Sequence, residues 1–106
     1  MIGVAFDTWM LMPGWIINES SNRDITMEDV VNHIDHICQL AGNTKHAAIG
    51  TDLDGGFGNE ETPFDLDTIT DLQKLPDLLG ARGYSASDID AILHGNWLRF
   101  LRNLWG

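Results

Sequence analysis

Asp52 and Asp54, in the run Asp52-Leu-Asp-Gly-Gly56, are the side chains best placed for proton chemistry. They follow His46-Ala-Ala-Ile-Gly-Thr51, a short run of small and apolar residues that reads as a buried strand. Barrel enzymes keep catalytic carboxylates at the C-terminal ends of parallel strands, because the loops there converge on one mouth. An aspartate in that place can take a proton from a metal-bound water or orient a substrate ammonium. The glycines let backbone approach a ligand closely. The alternative is a plain turn, in which Asp54 bends the chain and Asp52 is solvated. An EF-hand loop does not fit, since its fifth, sixth and twelfth positions would be Gly56, Phe57 and Pro63.

His33-Ile-Asp-His36 places two histidines three apart on a helix, and histidine is a common zinc ligand. The apolar stripe of that helix is centred near Ile34 and Cys38, so His33 falls at its flank and His36 on the polar side. Without HExxH or a third ligand the pair reads as structural. Four histidines and one cysteine lack tetrahedral spacing, so no tight zinc is expected on this chain alone, and weak divalent binding is left to the acidic loop. Trp9-Met-Leu-Met-Pro-Gly-Trp15 reads as core packing or a contact surface, or as an apolar pocket wall beside Asp52. Arg99 and Arg102 read as a solvated face.

The elements that must position these groups alternate. Ile2, Val4 and Phe6, spaced by Gly3 and Ala5, predict a strand buried on both faces. A chain opening on such residues reads as part of a larger fold. Residues 13–26 carry turn formers. Thr26-Met-Glu-Asp29 is a relaxed capping box, and apolar positions at helical spacing predict a helix over 27–41, stopped by Gly42. An acidic loop beyond Asp52 leads to a short helix opened by Pro76 and ending near Gly83. Ser85-Ala-Ser-Asp88 opens another helix to about Leu93. His94-Gly-Asn96 reads as a break before a last helix over about 97–105. The order strand, loop, helix, strand, loop, helices predicts an α/β fold with parallel strands. Two parallel strands leave edges and faces bare, and Trp97, Leu98, Leu101, Leu104 and Trp105 form an apolar stripe. Homo-oligomerisation is expected, as a dimer or as four chains closing eight strands into a barrel.

The 106 residues suit one domain, 43% hydrophobic and 21% charged, neither disordered nor membrane-embedded. A formal charge of −10 makes nucleic acid and anionic lipid poor partners. Cys38 is the sole cysteine, which excludes an internal disulfide and suits a reducing, cytoplasm-like setting. The opening residues show no basic signal-peptide region, and the apolar run to Ile17 is too short for a membrane span.

The run from Thr26 to Gly42, then His46-Ala-Ala-Ile-Gly-Thr-Asp-Leu-Asp-Gly-Gly56, resembles the membrane (renal) dipeptidase family. So do Arg82-Gly-Tyr-Ser85 and the run Ile92-Leu-His-Gly-Asn-Trp-Leu-Arg99. In that family an HIDHI-like helix precedes a strand ending in G-[ST]-D-x-D-G, and a GN-[FLW]-LR helix follows. The resemblance implies a zinc-dependent amidohydrolase-type (β/α)8 TIM barrel that cleaves dipeptides. The chain would supply its last two β/α units as a partial barrel. Asp52 would be the catalytic carboxylate facing the bridging water and the substrate amine, with Asp54 supporting it in substrate binding. The family's HxD motif, bridging glutamate, zinc histidines and substrate-binding histidine and arginine have no counterpart here, so the chain alone is expected to be inactive. Where the family often has an aromatic-Tyr-Pro run, this chain has Phe6-Asp-Thr-Trp-Met-Leu-Met-Pro13, which implies a different pocket wall.

Overall fold

The computed structural model describes residues 1–15, 20–53, 61–66 and 68–106. Strands β1 (Ile2–Val4) and β2 (Ala47–Ile49) pair in parallel, with Ile2, Gly3 and Val4 opposite Ala47, Ala48 and Ile49. The chain is therefore α/β, as the alternation predicts. The strand β1 is not buried on both faces. Val4 and Phe6 are buried on one face, where Ile2 at the start of the strand is 54% exposed, and Gly3 on the other face is exposed; among the described residues β1 pairs with β2 alone. A side chain on Gly3 would sit 3.0 Å from the Trp97 ring, so glycine lets the last helix close on the sheet.

Helix α1 (Thr8–Leu11) follows β1 directly, and α2 (Met27–Ala41) crosses back toward β2. The capping box forms as predicted: the Thr26 N–H donates to Asp29 Oδ2 at 2.9 Å, and the Thr26 hydroxyl accepts from the Glu28 N–H. Asp65 adds a cap from outside the helix, its Oδ1 accepting from the Met27 N–H at 2.8 Å. Gly42, at φ +74, ends the helix and donates to the Cys38 carbonyl. The buried stripe Met27, Val30, Val31, Ile34 and Cys38 packs with Phe6, Ile25, Leu66, Leu75, Leu79 and Ile92 into one core. Helix α3 (Leu75–Ala81) carries Pro76 in its first turn.

The predicted break at His94-Gly-Asn96 does not occur. Helix α4 (Ala86–Asp90) runs through a π turn (Ala91–Gly95) into α5 (Asn96–Trp105). Glycine and asparagine are poor helix formers by up to about 1 kcal/mol, but here Asn96 is buried and its amide is fully used. It donates to the carbonyls of Ala47 and Thr44 at 2.7 and 2.6 Å, and Arg99 donates to its oxygen at 3.1 Å. Trp97 donates to the Ile49 carbonyl at 2.9 Å. Side-chain bonds to the sheet outweigh local propensity. Two readings change accordingly: Trp97 packs on the sheet instead of joining the exposed stripe, and Arg99, which also donates to the Lys45 carbonyl, braces β2. Leu98, Phe100, Leu104 and Trp105 do remain exposed. No helix among the described residues is long and apolar enough to cross a membrane.

Candidate active site

Beyond their last paired residues the strands stay joined. The Gly50 N–H donates to the Val4 carbonyl and the Phe6 N–H to the Thr51 carbonyl, each at 3.1 Å. Val4 lies opposite Ile49, so Asp7 and Asp52, each three residues further on, meet at the same C-terminal end. Asp52 is exposed and takes a left-handed backbone, φ +55. Aspartate tolerates that region better than most residues. The Thr51 hydroxyl fixes the turn around it by accepting from the Leu53 N–H at 3.3 Å. Asp54 and the two glycines after it lie outside the described residues.

Asp7 is only 4% exposed. It stands at the N-terminal cap of α1, where its carbonyl accepts from the Met10 and Leu11 N–H groups, but its side chain caps nothing. Its Oδ1 is buried with no hydrogen-bond partner among the described residues. Burial pushes the Asp7 carboxyl up to about 6, and a hydrogen bond to Asp52 and the Asp52 charge push the same way. Beside it, the Thr8 hydroxyl and the Trp15 indole N–H both donate to Glu61 Oε2, at 2.9 and 2.6 Å, and Glu61 is 2% exposed.

That shift has a direct consequence for stability. The folded state keeps the Asp7 proton after the unfolded chain, near the ordinary 3.8, has lost its own. The resulting stabilisation is complete below about pH 4 and disappears as pH rises through about 6, a drop of at most about 3 kcal/mol. Urea unfolding at pH 4.5 and 7.5 should show the drop in the natural chain and a flatter profile in Asp7→Asn.

The histidines stand apart from this mouth as a pair. Both are exposed on α2, and His33 Nε2 lies 3.4 Å from the Leu11 carbonyl. The run from Trp9 to Trp15 divides: Leu11 is buried, Met10 and Met12 face solvent, and Trp15 holds Glu61. Two acids of the acidic stretch hold backbone. Asp65 caps α2, and Asp71 accepts from the Thr68 N–H. At the opposite, N-terminal end of β2, a cleft of about 370 Å³ is lined by Asp35, Cys38, Thr44, Tyr84 and Asp88. Tyr84 donates to Asp35 and Thr44 to Asp88, so these groups tie α2 to α4, and burial raises the Cys38 thiol above its usual range. Asp7 and Glu61 are the site residues that reading by motif passes over. The available signal for Asp7 was its offset, the same three residues past a strand as Asp52.

Paired parallel strands whose following residues bring two carboxylates together make this an α/β protein with its polar mouth at the strand C-termini. The chain matches the family described as Membrane dipeptidase (Peptidase family M19) over residues 1–104, and it belongs to that family. It is also similar to an "Uncharacterized protein in pqqA 5'region" of Klebsiella pneumoniae, with 35% identity over 84 residues. That alignment covers 79% of this chain and 29% of the relative, so the chain spans less than a third of that protein's length. No solved structure matches it. The family is one of metal-dependent peptidases. Among the described residues no three His, Cys, Asp or Glu side chains converge, and they do not fit a tetrahedral zinc site.

Proposed function

We propose that the chain is the last two β/α units of a (β/α)8 barrel hydrolase that cleaves dipeptides, with Asp52 as its proton carrier. The observation behind this is the position of Asp52 just beyond the C-terminal end of a parallel strand, in a chain matching the dipeptidase family nearly end to end. The attacking water adds to the scissile carbonyl carbon and gives its proton to Asp52. The C–N bond then breaks, and Asp52 returns that proton to the departing amine nitrogen. The same carboxylate attracts the substrate ammonium, and Asp54 supports it. Among the described residues no set of three His, Cys, Asp or Glu side chains could hold zinc. The purified chain is therefore expected to show no hydrolysis of Ala-Ala, with or without added zinc. Metal-stimulated turnover that Asp52→Asn abolishes would show instead that these residues form a whole site.

The exposed apolar surface supports self-association of such a part-barrel. Leu104 and Trp105 are 65% and 77% exposed on α5, beside Leu98 and Phe100. Burying a few hundred Å² of such surface contributes several kcal/mol at about 25 cal/mol per Å². The net charge of −10 opposes this, but salt screens it beyond about 8 Å. Sedimentation at micromolar concentration should give a homo-oligomer, most simply a dimer, that Trp105→Glu with Leu104→Glu dissociates. A well-folded monomer of the natural chain would overturn this and mean that the chain covers its strands in another way; the second reading, a non-catalytic fragment or oligomeric binding module, keeps the oligomer and drops the activity.

A further inference from the structure

We propose that Asp7 is a positioning residue for Asp52: the two carboxyl groups share one proton across the mouth, and Asp7 holds it so that Asp52 stays charged and aimed. The inference rests on Asp52 being the proton carrier, but the sharing itself is a property of the free chain. Strand register brings the pair together, since the two residues lie at equal distances beyond Val4 and Ile49, which face each other. The Asp7 side chain has no capping duty on α1, and one of its oxygens is buried without a partner among the described residues. An ionised carboxylate in that position would leave a desolvated charge uncompensated. A protonated one donates to its neighbour and removes the conflict.

Among the described residues nothing else neutralises it. No lysine or arginine among the described residues bonds Asp7, and α1 itself is uncharged. Helix α2, packed on α1, presents His33, which lies against the Leu11 carbonyl. The segment after residue 60 brings Glu61, another acid, held by Thr8 and Trp15. The turn after β2 brings Asp52. Two acids and one peripheral histidine favour keeping a proton on the buried member. The opposite assignment is disfavoured because Asp52 is solvated and Asp7 is not. With the proton on Asp7, its O–H donates to Asp52, fixes that rotamer, and leaves the Asp52 oxygen toward solvent free to accept a proton from water. The Asp7 proton does not leave during the cycle.

The test is a carboxyl-carbon NMR titration of the full chain from pH 3 to 9, without metal or substrate. The expected result is a step near 6 on Asp7 that the Asp52 signal also senses. Asp52→Asn should return the Asp7 midpoint toward the ordinary aspartate range, and Asp7→Asn should erase the upper step from Asp52. Both replacements are isosteric, and their amide spectra report folding. If either fails to fold, the natural chain decides alone: an Asp7 midpoint in the ordinary aspartate range, with no step shared between the two signals, would overturn the proposal. So would an Asp7 midpoint unmoved by Asp52→Asn. A kinetic result that finds Asp52 dispensable would remove the hydrolase reading and leave the titration intact, so the two failures are distinguishable.

Discussion

Changing the aspartate that matches Asp52 to asparagine, in a full-length protein of this family, is expected to lower dipeptide turnover by roughly 10²–10⁴-fold. Asparagine has the same shape and also tolerates the left-handed backbone that Asp52 adopts at φ +55, so the turn survives the change. What is lost is a group that can receive a proton from water and return it to an amine. Steady-state kinetics on Ala-Ala should place most of the loss in kcat, with a smaller rise in KM from the weaker hold on the ammonium. A loss of less than tenfold would mean that another group moves the proton, and the role given to Asp52 would fall.

Phe6→Ala should have the largest effect on folding. Phe6 is fully buried among Val4, the α2 stripe and Ile92, and it sits one residue before Asp7. Truncating a buried phenylalanine costs about 3–5 kcal/mol, through lost transfer energy and the cavity left behind. Domains of this size have only about 5–15 kcal/mol in total. Urea denaturation should show a midpoint far below that of the natural chain, whereas Ile69→Ala, at a 72% exposed position away from α5, should stay within about 0.5 kcal/mol. Equal losses at the two positions would mean that the core lies elsewhere.

Local rules were enough wherever a residue's task is local. Thr26 and Asp29 announce the start of α2, Gly42 announces its end, and the apolar spacing between them marks the buried face. The strand before Asp52 and the parallel pairing were legible for the same reason. Residues whose partners are far along the chain were not. Asn96 reads as a helix breaker until the carbonyls of Thr44 and Ala47 are placed beside it. Glu61 looks like one more surface acid in an acidic loop, yet it is buried against Thr8 and Trp15, about fifty positions away in the sequence. Asp7 looked like an interruption in an apolar run, and only strand register turns it into a neighbour of Asp52.

The π turn at Ala91–Gly95 sets the phase of everything after it. Successive residues of an α-helix are rotated by about 100°, and a π turn accommodates one additional residue without breaking the rod. Deleting a single residue within that turn would restore ordinary pitch and leave the rest of the C-terminal helix in nearly its present phase. Asn96 and Trp97 would still face the carbonyls that now receive them, and the greasy side of the rod would keep its place. A one-codon loss here is taken up by the turn, whereas the same loss within α5 would act as a rotation of a rigid arm.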